Sequence, residues 1–183
     1  MFPFPFRRRR QEQKIDALYG AIVAQARRPV FYADYGVADT VSGRFDLLVL
    51  HLALVLRQLR EAPEAVRPLG QGLFDAFCRD IDGNLREMGV GDLAVPKEMK
   101  RFGEAFYGRA AAYDRALAGE ADLAATLARN VLGGEAHPAA GRLAAYVRQT
   151  EGALARDLSW TMGGALPFPD PAGIGERPVA PAE

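Results

Sequence analysis

Two histidines, His51 and His137, one cysteine, Cys78, and two serines, Ser42 and Ser159, are the side chains best suited to proton transfer or nucleophilic attack. Their spacing defeats most uses. A di-iron helical bundle needs Glu-x-x-His pairs on inward helix faces, and no such pair occurs. A thiolate metal site needs several cysteines. Neither serine sits in a nucleophile elbow. Cys78 follows Phe77 in an apolar helical pattern, where a thiol is ordinarily a packed structural group. The run Asp80-Ile81-Asp82-Gly83-Asn84 has the carboxylates of a calcium loop, but its glycine is misplaced and the place of the bidentate glutamate falls on Gly91. Gly89-Val90-Gly91 lacks the third glycine of a dinucleotide fingerprint, and there is no Walker loop. His51 is the one candidate for proton handling. It lies in the most apolar stretch, Leu47 to Leu56, where a histidine is ordinarily satisfied by a backbone or carboxylate partner. Asp46, about a turn earlier, is the nearest acid. An enzyme reading therefore needs a solvent-reachable pocket around His51. The sequence specifies no catalytic residue, no cofactor and no metal ligand.

The elements that carry these residues read as helices. Ile15, Leu18, Ile22 and Ala26 predict a first helix from about Gln11 to Arg28, ended by Pro29. An aromatic connector follows, with Phe31, Tyr32 and Tyr35. A second helix begins near Ser42 or Gly43 and runs to about Glu61. It is apolar on most sides, which places it in the middle of a bundle. Its ten-residue apolar core rises about 15 Å, half a bilayer's hydrocarbon thickness, so it reads as buried in protein. Val66, Leu69, Leu73, Phe77, Ile81, Leu85 and Met88 predict a third helix over Glu64 to Met88, with Gly89 as its cap. Pro96 opens a fourth, carrying Met99, Phe102, Phe106 and Tyr113. Shorter patterns predict helices over Glu120 to Leu132 and from His137-Pro138 to about Trp160. No strand pattern is evident. The expectation is an all-α protein: one compact helical domain of about six helices over 11–162. A flexible basic N-terminal tail, 1–10, and a Pro-rich C-terminal tail, 163–183, flank it.

The 183 residues carry a formal net charge of zero, which excludes the basic balance of most nucleic-acid binders. The charge is nonetheless uneven. Arg7, Arg8, Arg9 and Arg10 form a run near Phe2, Phe4 and Phe6, suited to an anionic membrane surface. Leu85 to Arg101 forms a tight corner that concentrates Arg86, Glu87, Asp92, Lys97, Lys100 and Arg101, either as solvated charge or as a partner surface. Tyr107 lies off the main stripe of its helix and is expected to be exposed.

Two stretches resemble the ubiquinol–cytochrome c chaperone family: RRPVFYADYGVADTVSGRFDLLVLHLALVLRQL (27–59) and LFDAFCRDIDGNLREMGVGDLAVPKEMKRFGEAFYGRAAAYDRAL (73–117). The combination GRFD…LH, NLREMGVGDL, K-x-M-K and AFYGR carries the likeness across most of residues 19–132. The resemblance implies a helical assembly factor of the cytochrome bc1 complex, not an enzyme. Newly made cytochrome b is its implied client and the ribosome a further partner. The chain looks like a bacterial member; its single cysteine suits a reducing, cytoplasmic compartment, and the Arg7 to Arg10 run suits peripheral contact at the inner membrane. Matching the motifs singles out Arg44, Arg86, Glu87, Asp92, Lys97, Lys100 and Tyr107 as partner-binding candidates. Asp46, His51, Gly89 and Gly108 match as well. The expected mechanism is an apolar, partly aromatic groove rimmed by charge. Two rivals are a membrane-surface adaptor working through Arg7 to Arg10 and a small helical enzyme with a pocket around His51.

Overall fold

The structure, a computed structural model, describes the backbone of residues 4–175 and the side chains of residues 9–175. Among these residues there is no strand, and six helices of nine residues or more form the bundle: α1 (Phe4–Ala26), α3 (Val41–Glu61), α4 (Pro68–Glu87), α5 (Val95–Leu117), α6 (Leu123–Val131) and α7 (Ala140–Arg156). A single-turn helix, α2 (Pro29–Ala33), follows α1, and two 3-10 turns, Leu158–Met162 and Pro171–Gly173, follow α7.

The apolar pattern of α3 makes it the hub. Every residue from Leu47 to Val55 is buried, and α3 touches α1, α4, α5, α6 and α7. Each such Leu or Val contributes roughly 1.5–3 kcal/mol by leaving water, enough to fix this helix at the centre. Thr40 caps it by accepting from the Gly43 backbone N–H at 3.1 Å. Gly43 is required there, because a Cβ would lie 2.0 Å from the Ala38 carbonyl oxygen. No helix among the described residues is long and apolar enough to cross a membrane.

Three boundaries depart from the sequence reading. The first helix begins at Phe4, so residues 4–10, expected to be a loose tail, have helical backbone. Pro5 falls in the first turn, where its missing N–H costs no intrahelical bond, and the Arg/Gln/Glu run after it consists of good helix formers. Phe2 and the side chains of Phe4, Phe6, Arg7 and Arg8 lie outside the described residues. The helix expected from Glu64 begins at Pro68, whose ring suits a first helical position.

The third departure is the Pro-rich segment. As expected it makes no long helix, but within residues 163–175 it is not loose. Leu166, Phe168 and Ile174 pack on the core, and Pro171 is buried. Gln25 Nε2 donates to the Pro169 carbonyl at 3.1 Å, and the Tyr35 hydroxyl donates to that of Pro171 at 2.8 Å. Arg142 lies 4.2 Å over the Tyr35 ring and donates to the Ile174 carbonyl, while Arg28 pairs with Asp170 at 2.8 Å. Residues 163–175 therefore form a strap across α1, α2 and α7. Residues 176–183 lie outside the described ones.

Candidate functional site

The α3, α4 and α5 helices carry a chain of rings that reaches the surface. Phe102 meets Phe45 edge-on at 4.9 Å, Phe45 meets Phe77 at 6.2 Å, and Phe77 meets Phe106 at 5.5 Å. Phe74 then touches Phe106 at 5.2 Å and Tyr107 at 5.5 Å. The stripes explain the placement. Phe74, Phe77 and Ile81 recur at helical spacing on α4, as do Phe102 and Phe106 on α5. Tyr107 sits one residue off its stripe and is 62% exposed, as its spacing predicts.

A cleft opens at each end of this chain. The first, about 230 Å³, lies between α1, α3, α4 and α5, and its walls include Val23, Arg27, Val41, Arg44, Phe45, Ile81, Met88 and Phe102. The second, about 380 Å³, is lined by Leu56, Leu59, Arg60, Arg67, Gly70, Gln71, Phe74, Phe106, Tyr107 and Ala110. Val41, Met88 and Tyr107 are large apolar or aromatic residues left exposed at their mouths. Both clefts are apolar with a few arginines at the rim, the chemistry that suits an apolar helix or long side chains.

The corner between α4 and α5 adjoins the first cleft. Gly89, at φ +81°, closes α4: its N–H bonds the Arg86 carbonyl and the Val90 N–H bonds that of Leu85, both at 3.0 Å. Arg86 forks between Asp82 at 2.7 Å and Asp92 at 2.6 Å. Lys100 pairs with Glu104 at 3.8 Å, and Arg101 with Glu98 at 2.8 Å. Exposed pairs of this kind order a corner more than they stabilise it. Leu93, at its tip, is fully exposed. The carboxylates that resemble a calcium loop are engaged within the protein: Asp80 accepts from Tyr19 and Asn84, and Asp82 holds Arg86.

The sequence candidates thus divide. Arg44, bonded to Asp39 at 2.7 Å, lines the first cleft, and Tyr107 lines the second. Arg86, Glu87, Asp92, Lys97 and Lys100 line neither; they lie on the corner and the first turns of α5, all exposed. The structure adds Val23 of α1 and Arg27, just past its end, to the first cleft, and Arg60 and Arg67 to the second. These belong to faces the periodicity does not flag, because a cleft wall is made by half-buried neighbours of the core stripe.

His51 has no pocket. It is 0% exposed, its Nδ1 lies 2.7 Å from the Leu47 carbonyl oxygen, and its Nε2 lies 2.8 Å from the Tyr146 hydroxyl. A carbonyl only accepts, so Nδ1 carries the proton and Nε2 accepts from Tyr146. Gln25 Nε2 donates to the same hydroxyl at 2.9 Å. Phe31 and Phe168 close over the ring at 5.4 and 5.5 Å. Burial pushes the imidazole down to about 4, against the smaller upward pull of the Leu47 carbonyl, so it is neutral. Burial also pushes the Tyr146 hydroxyl up to about 12. Asp46, considered as a partner for His51, pairs instead with Arg109 at 2.8 Å. That pair ties GRFD on α3 to AFYGR on α5. Burial pushes the Asp46 carboxyl up, opposed by the Arg109 guanidinium. The enzyme rival, which needs an accessible His51, is therefore removed.

The fold is thus an all-α bundle with an open aromatic face on α3, α4 and α5 and a sealed His51–Tyr146 cluster on the other side of its central helix. Residues 33–157 match the family model described as ubiquinol-cytochrome C chaperone, and the chain belongs to that family. It is similar to the crystal structure of the Cbp3 homolog from Brucella abortus, with 38% identity and a TM-score of 0.82. The match covers 93% of this chain and 97% of that one, so the likeness extends to the whole bundle. No curated protein matches the chain.

Proposed function

We propose that this protein is an assembly chaperone of the cytochrome bc1 complex that holds newly made cytochrome b. Family membership supports the general reading. The observation that carries the finer one is the aromatic chain ending in two open, apolar clefts on α3, α4 and α5. A client helix lays an apolar face along such a groove with anchors one turn apart. Tyr107 and Phe74 offer a stacking surface at one end, and Met88 and Val41 an aliphatic one at the other. Arg44, Arg86, Glu87, Asp92, Lys97 and Lys100 form the charged rim that meets the client's polar flanks. A charged rim fixes register and choice of partner more than it adds affinity.

Deleting the gene and measuring assembled bc1 complex tests this reading. The expected result is loss of the complex, restored by the wild-type protein and poorly by Tyr107→Asp. Normal bc1 levels in the deletion overturn it.

A further inference from the structure

The basic run that the bundle does not explain leads to a third concavity. Arg10 and Lys14, one turn apart on α1, line a cleft of about 560 Å³ with Val66, Leu69, Met162 and Gly163. Three separate parts of the chain meet there: the basic end of α1, the connector into α4, and the turn that follows α7. The first fourteen residues hold five cations and one acid, in a chain whose net charge is zero. Helix propensity suits arginine and lysine but does not call for charge of one sign, and cations toward a helix N-terminus gain nothing from the helix dipole. Arg9 and Arg10 are exposed, and Met162 beside them is 78% exposed. Arg67, also exposed, precedes Pro68 at the cleft edge.

We propose that this end of the molecule is a docking face for an anionic phospholipid bilayer. Arg9, Arg10 and Lys14 would engage headgroup phosphates, and Met162 would enter the acyl boundary. The charge complementarity argues for lipid over an apolar protein partner, because cations flank an apolar side chain in a single concavity. Position adds a consequence, which rests on the client reading above. Pro68 and Leu69 line this cleft, while Arg67 and Gly70 line the second aromatic one. Docking here sets the Tyr107 groove beside the membrane, where an apolar client emerges.

The test is flotation of the full chain with phosphatidylcholine vesicles, with and without phosphatidylglycerol. The wild type is expected to float only with the anionic vesicles, and less as salt rises. Each basic residue near an anionic surface strengthens binding about fivefold, so Arg9→Gln, Arg10→Gln and Lys14→Gln together weaken it on the order of 100-fold. Met162→Asp weakens it further, while Arg115→Glu, which lines no part of the cleft, leaves it unchanged. All these side chains are exposed or at the surface, and an unchanged melting curve checks the fold. Equal flotation with neutral vesicles, or a triple variant that floats like the wild type, overturns the proposal. Capture of cytochrome b in detergent by the triple variant separates this result from the client reading, since that capture needs no bilayer.

Discussion

The two aromatic clusters of this bundle are built from the same kinds of residue and end in opposite states. Around His51, the rings of Phe31, Tyr35, Tyr146 and Phe168 pack with Gln25 into a closed set in which both His51 nitrogens and the Tyr35 and Tyr146 hydroxyls are hydrogen-bonded. Around Phe77, the rings of Phe45, Phe74, Phe102, Phe106 and Tyr107 run outward, and nothing among the described residues covers the last of them. The strap makes the difference. Residues 163–175 lie over the first cluster and put Phe168 on His51. Among the described residues the second cluster has no such cover. Buried polar groups demand complete satisfaction, whereas an apolar surface can stay open for a partner.

Substitutions should separate the two. The largest effect is expected for His51→Ala, which leaves a ring-sized cavity and takes the acceptor from the Tyr146 hydroxyl. The expected loss is about 4 kcal/mol, read from the denaturant midpoint. A wild-type-like midpoint would mean that the sealed cluster does not hold the core together.

Acid should act on the same cluster. The His51 imidazole is lowered in the fold from its ordinary 6.5 to about 4. The unfolded chain therefore binds the extra proton between those values, and the fold does not. Stability from this group is fully present above about pH 6.5 and is lost as pH falls toward 4, by about 3 kcal/mol. His51→Gln should flatten that slope in a pH series of thermal melts. An unchanged slope would show that His51 is not the group responsible.

The smallest effect on stability is expected on the open cluster. Tyr107→Ala should shift stability by no more than about 0.5 kcal/mol, because the ring is mostly in solvent. Its effect should instead fall on capture of the client. A large stability loss with capture intact would reverse the distinction between the clusters.

Much of this arrangement is legible in the sequence. The stripes of α3, α4 and α5 follow 3.6-residue spacing, so Leu47, Phe77 and Phe106 are read correctly as core and Tyr107 as exposed. Gly89 is read as a cap because the turn requires φ > 0. The strap is not legible. Its anchors are the carbonyls of Pro169, Pro171 and Ile174, which every residue type offers, and the donors Gln25, Tyr35 and Arg142 are far away in sequence. Tyr146 is likewise hidden as the partner of His51, because the two are 95 residues apart. The cleft at Arg10 joins three segments that no local pattern relates.

On the proposed function, the open aromatic face, and not the sealed cluster, is the surface that meets cytochrome b. A photo-crosslinking amino acid placed at position 107, compared with one at the exposed Arg156 on α7, tests this in cells making the bc1 complex. The expected result is a cytochrome b adduct from position 107 and none from 156. Adducts from 156 alone, or equal adducts from both positions, would contradict it.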